Sequence, residues 1–208
     1  MIRRPTVVVS VLALSVCATT VVRAQQEPTP LRIAASSFAS VEVHLNARRI
    51  DKSWFEEDAS LTGPSRIAIT YGQPHARGRR VDGGLIPLDT AWRFGANAAT
   101  TLHSDVDLTL GDLKVRRGDY SLFILRVPPG WFLIVNDDTG QWGTDRDPAR
   151  DLGRVALTSR DLPEPEESLS IYLIPQSPQP TSGYADLKGV LKIRWGSTEL
   201  STAWQVDP

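Results

Sequence analysis

The sequence predicts an all-β protein: an antiparallel β-sandwich or a partly open barrel with long irregular loops and little helix. Three observations lead to this prediction. Apolar and polar residues alternate over short segments, which is typical of strands with one face in a core. Glycine and proline, 15 of each among 208 residues, interrupt these segments at short intervals. No segment shows the apolar spacing of an amphipathic helix.

The overall composition excludes several classes of protein. Hydrophobic residues make up 41% of the chain and charged residues 23%, so neither a disordered nor a collagen-like protein is expected. The length suits one domain. The formal net charge is −1, which leaves no cationic surplus to neutralise phosphates. We therefore expect no nucleic-acid partner.

The first 24 residues have the features of a signal peptide. Arg3 and Arg4 precede an apolar segment from 7 to 22, and Ala24 ends a Val-Arg-Ala triplet that signal peptidase accepts. The apolar segment is too short for a permanent helix across a bilayer core of about 30 Å. We expect cleavage after Ala24 and a periplasmic or secreted protein; a retained N-terminal anchor is the alternative. Lipidation at Cys17 is not expected, because valine precedes it where a lipoprotein needs a smaller residue.

The remaining 184 residues, 25–208, contain no cysteine. Their composition excludes disulfides, thiolate catalysis and cysteine-ligated metal sites. Within them, we predict a polar N-terminal lead over 25–39 and a single β domain over 40–208, with no cofactor.

The strands are predicted where the alternation is clearest. These segments are 41–45, 67–71, 106–110, 169–173, 190–195 and 200–204. Residues 120–127 and 131–135 are more continuously apolar, and a Pro-Pro-Gly turn separates them. They predict a central hairpin that is buried on both faces.

Four segments are predicted to lie outside strands. Residues 47–65 and 175–183 are polar and predict exposed loops. Residues 89–92 and 147–152 can each form one helical turn.

The catalytic motifs of nucleotide-binding proteins, serine hydrolases and zinc proteases are absent from the sequence. The chain has three histidines: His44, His75 and His103. His44 shares a predicted strand face with Glu42, and His103 shares one with Asp105, so either pair can supply two metal ligands. A solvated strand face is the simpler interpretation, and we predict no metal site.

The segment 71–101 differs from the rest of the chain. It holds four arginines and five glycines with little regular pattern. A loop of this length is usually functional or disordered, and Trp92 and Phe94 argue against disorder because such residues are normally buried. Its arginines can satisfy loop carbonyls or bind an anion.

Two interpretations of this segment remain open. In the structural one, Arg93 and Asn97 bind loop carbonyls and Trp92 fills one end of the core. In the functional one, the segment lines a pocket for a carboxylate, phosphate or sulfated group, and an exposed Trp142 offers its ring to a sugar. The ligand-binding candidates are Tyr71, Arg77, Arg79, Trp92, Arg93, Asn97 and Trp142.

Several short motifs resemble a known family. They are Tyr-Gly-Gln-Pro at 71–74, Gly-Gly-Leu-Ile-Pro at 83–87, Trp-Arg-Phe-Gly-Ala-Asn at 92–97 and Gly-Gln-Trp-Gly at 140–143. Over residues 64–203 the chain resembles the bacterial secreted family of domain of unknown function 2911. The resemblance implies an exported all-β protein without an established activity. The family's usual form has glutamate where this chain has Ala98. If that glutamate pairs with the arginine at 93 or serves as an acid–base group, this chain lacks it, and Arg93 then needs another partner or an anionic ligand.

These features favour a non-catalytic module that binds a small anionic or saccharide ligand, or a protein partner, through 71–101. One alternative is an envelope or extracellular hydrolase, with His75 or His103 as base and Asp82 or Asp105 beside it. Another is a structural envelope component that assembles through an exposed strand edge. We expect no permanent transmembrane segment after cleavage.

Overall fold

The computed structural model describes residues 31–45, 65–176 and 187–207, together with the backbone of 47–50 and 53–56. The predicted signal peptide and Cys17 lie outside the described residues, as does most of the predicted loop 175–183. The strands all belong to one compact unit, Ala34–Pro208.

The described chain is almost entirely antiparallel β-sheet, and the sheet does not close into a barrel, which confirms the predicted fold class. The strands are β1 (Ser36–Leu45), β2 (Ala47–Ile50), β3 (Ser53–Glu56), β4 (Ser65–Pro74), β5 (Ala91–Trp92), β6 (Thr100–Ser104), β7 (Leu108–Leu110), β8 (Leu113–Val115), β9 (Gly118–Val127), β10 (Gly130–Asn136), β11 (Asp151–Pro175) and β12 (Lys188–Val206). No helix in the described ranges is long and apolar enough to cross a membrane.

The main sheet has the order β1-β4-β6-β9-β10-β11-β12-β7-β8, with β5 paired to β9. A separate two-stranded sheet contains β2 and β3. β11 and β12 are 25 and 19 residues long, and their pairing shifts register around Glu166. Such irregularities bend a strand without ending it. The segments predicted at 169–173, 190–195 and 200–204 are therefore parts of two long bent strands.

Polar side chains of β4 connect it to the second half of β11. The Tyr71 hydroxyl accepts a hydrogen bond from Ile171 N (3.2 Å) and donates to Leu169 O (3.5 Å). Gln73 Nε2 donates to the same carbonyl at 2.9 Å. These bonds hold the β1–β4 end of the sheet against β11 across the core.

The β9–β10 hairpin is buried on both faces, as its continuous apolar sequence predicts. Leu122 and Leu133 lie in the main core, and Phe123 and Ile134 lie in a smaller cluster on the opposite face. Ala99 from the segment before β6 completes the smaller cluster. Ala99 therefore fixes the end of the 71–101 segment on the outer face of the sheet, whereas Trp92 and Phe94 of the same segment lie in the main core.

Several local predictions differ from the structure. The predicted loop 47–65 contains the β2–β3 pair, and the predicted helical turn at 89–92 is wrong because β5 pairs with β9 there. The helical turn predicted within 147–152 is present as a 3-10 turn at Pro148–Arg150, with the side chain of Asp147 accepting from Ala149 N. Of the segment predicted at 106–110, only β7 is a strand.

Strand β1 is longer than predicted, and strand β6 forms where the sequence has little alternation. β1 begins at Ser36, inside the predicted polar lead, because its register with β4 continues to Pro74. β6 has one large apolar residue, Leu102, and lies between β4 and β9. Its place in the sheet comes from these neighbours rather than from its own pattern.

Candidate functional site

The first part of the loop between β4 and β6 is held together by its own arginines. Arg79 Nε donates to Ala76 O (2.9 Å) and its Nη2 to His75 O (2.7 Å). Arg80 Nε donates to Asp82 O at 2.7 Å. These guanidinium groups satisfy carbonyls that irregular backbone leaves without partners.

Arg77 also makes contacts within the protein. Its Nη2 donates to Ala34 O (2.5 Å), and its backbone N donates to Glu167 Oε1 (2.6 Å). Beside it, a cavity of about 420 Å³ is lined by residues 76, 78–82, 165–167 and 196–198. The side chains of Arg77, Arg79 and Arg80 are thus engaged by backbone carbonyls around this cavity.

Two predicted ligand-binding residues belong to the core. Tyr71 is 5% exposed, and burial raises the pKa of its hydroxyl above the usual value. Trp92 is stacked on Trp195, with ring centroids 5.4 Å apart. Both rings are enclosed because large aromatic surfaces gain most from burial, so neither is open to a ligand.

The second part of the loop, residues 93–99, lies directly on β4 and is anchored in the core. A Cβ on Gly72 would overlap Ala96 O, and Ala96 N donates to Gly72 O at 2.8 Å. Phe94 is fully buried, with a left-handed φ of 52°, and Thr100 Oγ1 donates to its carbonyl (2.6 Å). Close backbone contact and one buried ring therefore fix this segment.

A second segment, residues 141–143, pairs with residues 97–99. One β-bridge and two hydrogen bonds form the pairing: Ala98 bridges Trp142, Gly143 N donates to Asn97 O (3.1 Å), and Ala99 N donates to Gln141 O (3.3 Å). We call these two segments, 93–99 and 141–143, the Arg93 cradle.

The cradle encloses two hydrogen-bond donors without acceptors. Arg93 Nε is buried without a partner, and within the described residues no hydrogen bond or ion pair engages this guanidinium. A Cβ on Gly143 would overlap Arg93 Cδ, so the absence of a side chain there admits the arginine. Gln141 Oε1 accepts from Ser121 Oγ (3.1 Å), but its Nε2 is buried and unpaired in the same part of the chain.

Asn97, Ala98 and Trp142 are the exposed residues of the cradle. Asn97 has a left-handed φ of 65°, and its Nδ2 donates to Ser36 Oγ on β1 at 3.2 Å. Trp142 is 54% exposed. The structure thus places Arg93, Asn97 and Trp142 in one cradle, whereas Arg77 and Arg79, which the functional interpretation put in the same pocket, lie elsewhere in the loop.

His75 does not form the predicted pair with an aspartate. Its Nδ1 lies 2.8 Å from Ser168 Oγ and its Nε2 lies 3.3 Å from Ser37 Oγ. Asp82 instead accepts from Arg126 Nε at 3.2 Å. The ring of His75 therefore joins β1 to β11, and among the described residues no carboxylate orients it.

His103 lies on the solvated outer face of the sheet. Its Nδ1 is 2.8 Å from Asp119 Oδ1 and its Nε2 is 3.1 Å from Asp105 Oδ1, so both ring nitrogens contact carboxylates. His44 Nε2 similarly lies 3.1 Å from Glu42 Oε1. In the described ranges no three side chains are arranged to hold a metal ion.

Comparison with known families identifies the domain. Residues 56–203 match the model of the family described as Protein of unknown function (DUF2911). This chain belongs to the DUF2911 family. No curated protein and no solved structure matches it. The DUF2911 region includes both segments of the Arg93 cradle, and β1, which supplies Ser36, precedes it.

Sequence reasoning missed two residues of the Arg93 cradle. Gln141 and Gly143 flank Trp142 in a Gly-Gln-Trp-Gly motif, from which only the tryptophan was selected. The motif itself was a usable signal, since a glycine in an extended segment often marks close contact, and Gly143 makes such a contact with Arg93, whereas Gly140 has a left-handed φ of 79° and open space around it. Which segment it contacts is not readable from its own residues.

Proposed function

We propose that this protein is an exported, non-catalytic binding module that takes a carboxylate-bearing ligand at the Arg93 cradle. One observation supports it above all. Arg93 is half-buried, its Nε is enclosed, and no acceptor among the described residues engages its guanidinium.

Two more enclosed arginines of this chain are paired with carboxylates. Arg126 binds Asp82, and Arg146 binds Asp151, with 16% of each arginine side chain exposed. An enclosed donor without an acceptor costs about 1–3 kcal/mol, and more where the group is charged. A ligand carboxylate would supply the missing counter-charge at the two terminal nitrogens of Arg93, which are not enclosed as Nε is, and its two oxygens match their spacing.

The first prediction concerns Arg93→Ala. We expect small dicarboxylates such as succinate to bind the wild-type protein in isothermal titration calorimetry. Arg93→Ala should weaken that binding by about 10–100-fold, the usual effect of losing a charge-assisted hydrogen bond. Arg116→Ala removes one positive charge from an exposed turn and should leave the affinity unchanged. Wild-type protein that binds no carboxylate, or equal losses in the two variants, would refute the proposal.

A second prediction concerns Ala98, where a glutamate side chain would compete with the ligand for Arg93. Ala98 bridges Trp142, and the adjacent Gly143 packs on Arg93, so we expect the longer side chain of Ala98→Glu to bring its carboxylate within reach of the guanidinium. We expect Ala98→Glu to raise the melting temperature and to weaken succinate binding, since the new side chain competes with the ligand. Ala98→Gln is nearly isosteric but uncharged, and should do neither. Unchanged succinate affinity in Ala98→Glu would argue against a carboxylate site at Arg93.

The extracytoplasmic location is also part of the proposal. It is supported by the charged start at Arg3 and Arg4, the apolar segment from 7 to 22 and the cleavage triplet ending at Ala24. We expect N-terminal sequencing of protein recovered from cells that express the full chain to begin at Gln25. Protein that retains residues 1–24 would contradict export by this route.

A further inference from the structure

We propose that the ligand of the Arg93 cradle is an acidic oligosaccharide whose carboxylate binds Arg93 and whose sugar ring stacks on Trp142. The inference rests on the proposed function and adds the chemical class of the ligand.

Trp142 has an exposure that distinguishes it from the other tryptophans with described side chains. It is 54% exposed, whereas the rest are at most 9% exposed: Trp92, Trp131, Trp195 and Trp204. An indole gains strongly from leaving water, so an ordered one left open at a polar site indicates a ligand surface. The C–H bonds on one face of a pyranose are electron-poor and pack favourably on the electron-rich indole face.

The polar groups around Trp142 suit sugar hydroxyls. Asn97 carries an exposed amide that bonds to Ser36 Oγ, whereas Gln141 Nε2 is enclosed and is not open to a ligand. Amides both donate and accept hydrogen bonds, as hydroxyl groups require. The cradle therefore offers one cation for a carboxylate and a neutral amide for the rest of the ring.

A second exposed aromatic ring lies beyond Asn97. Phe38 is two residues along β1 from Ser36, so its side chain projects from the same face of the strand. It is 76% exposed, and its register partner on β4 is Gly72, over which Ala96 of the cradle lies. Asn97 thus lies between Phe38 on β1 and Trp142 on the opposite segment. A ligand of two or more rings covers both aromatic surfaces, whereas a small carboxylate covers neither.

The test compares three probes on the full mature protein by isothermal titration calorimetry: trigalacturonate, a neutral galactose trisaccharide and succinate. We expect trigalacturonate to bind at least about tenfold more tightly than either of the others. Trp142→Ala should weaken trigalacturonate binding about tenfold, a larger factor than its effect on succinate binding. Trp142→Phe keeps an aromatic face and should retain most of the affinity, and thermal melts verify that each variant is folded.

The outcomes separate this inference from the proposed function. If succinate binds through Arg93 and trigalacturonate binds no better, the saccharide assignment is wrong and the carboxylate site stands. Equal binding of the neutral trisaccharide, or tighter binding of an acidic peptide of similar length, also overturns the assignment. If none of the carboxylates binds, the proposed function itself fails. Loss of succinate and trigalacturonate binding together in a folded Trp142→Ala variant would make Trp142 a structural residue.

Discussion

Replacing Phe94 with alanine should lower the free energy of unfolding by about 3–5 kcal/mol. Phe94 is fully buried in the main core cluster, and its carbonyl accepts from Thr100 Oγ1 at 2.6 Å. Removing the ring leaves a cavity that the backbone cannot fill, because the neighbouring residues 95–99 are held by contacts to Gly72 and to 141–143. Urea denaturation, monitored by tryptophan fluorescence, measures the change in the free energy of unfolding.

The matched control is Phe38→Ala, the same chemical change at a residue that is 76% exposed. It should change stability by no more than about 0.5 kcal/mol. Because Phe94 anchors the Arg93 cradle, folded Phe94→Ala protein should also bind carboxylate less tightly than wild type. Equal costs for the two substitutions would show that Phe94 does not anchor the loop.

The second large loss of stability is expected on replacing Glu199, a carboxylate residue that is only 3% exposed. Arg160 Nε donates to one oxygen at 2.6 Å and Arg194 Nε to the other at 2.6 Å, with Lys192 Nζ at 3.9 Å. The hydrogen bond from Arg160, together with those from Arg194 and the charge of Lys192, lowers the pKa of Glu199 from 4.5 to about 2, although burial opposes the shift. The cluster joins β11 to β12.

A carboxylate with a lowered pKa stabilises the folded state above its unfolded pKa. The contribution of Glu199 is therefore complete above about pH 4.5 and disappears as the pH falls towards about 2. Its size is about 3 kcal/mol. Glu199→Gln should lose about this much at pH 7, and the difference from wild type should shrink steadily below pH 4.5.

Denaturation of the wild type and Glu199→Gln across this pH range tests the linkage. Glu164→Gln is the control, since Glu164 is an exposed glutamate of the same strand. It should change stability by no more than about 0.5 kcal/mol at any pH. A constant gap between the wild type and Glu199→Gln from pH 7 to pH 2 would show that the charge of Glu199 does not contribute.

The central hairpin shows how far the fold could be predicted from local sequence. β9 and β10 are apolar on both faces and are separated by a turn that only a few residue types can make, so pattern and turn chemistry agree. β6 gave no such signal, because one large apolar residue among Thr, His and Ser does not define an alternation. Its two neighbours in the sheet, β4 and β9, make it a strand.

The candidate site, like the fold, could be predicted only in part from the sequence. Composition and the spacing of arginine, asparagine and tryptophan were enough to select the 71–101 segment and Trp142. The sequence could not distinguish Arg93 from Arg77 and Arg79, since all three lie in one irregular segment and have the same chemistry. The difference arises from which acceptors the folded chain brings within reach.

The sequence by itself determined that this chain is a β protein with an arginine-rich loop, because alternation and turn residues act over a few positions. The tertiary structure decided which arginine is left without an acceptor. Arg79 reaches carbonyls three and four residues away in its own loop, whereas Arg93 is enclosed by residues 141–143, which lie far along the chain. Whether a buried charge is satisfied depends on distances in space between segments remote in sequence.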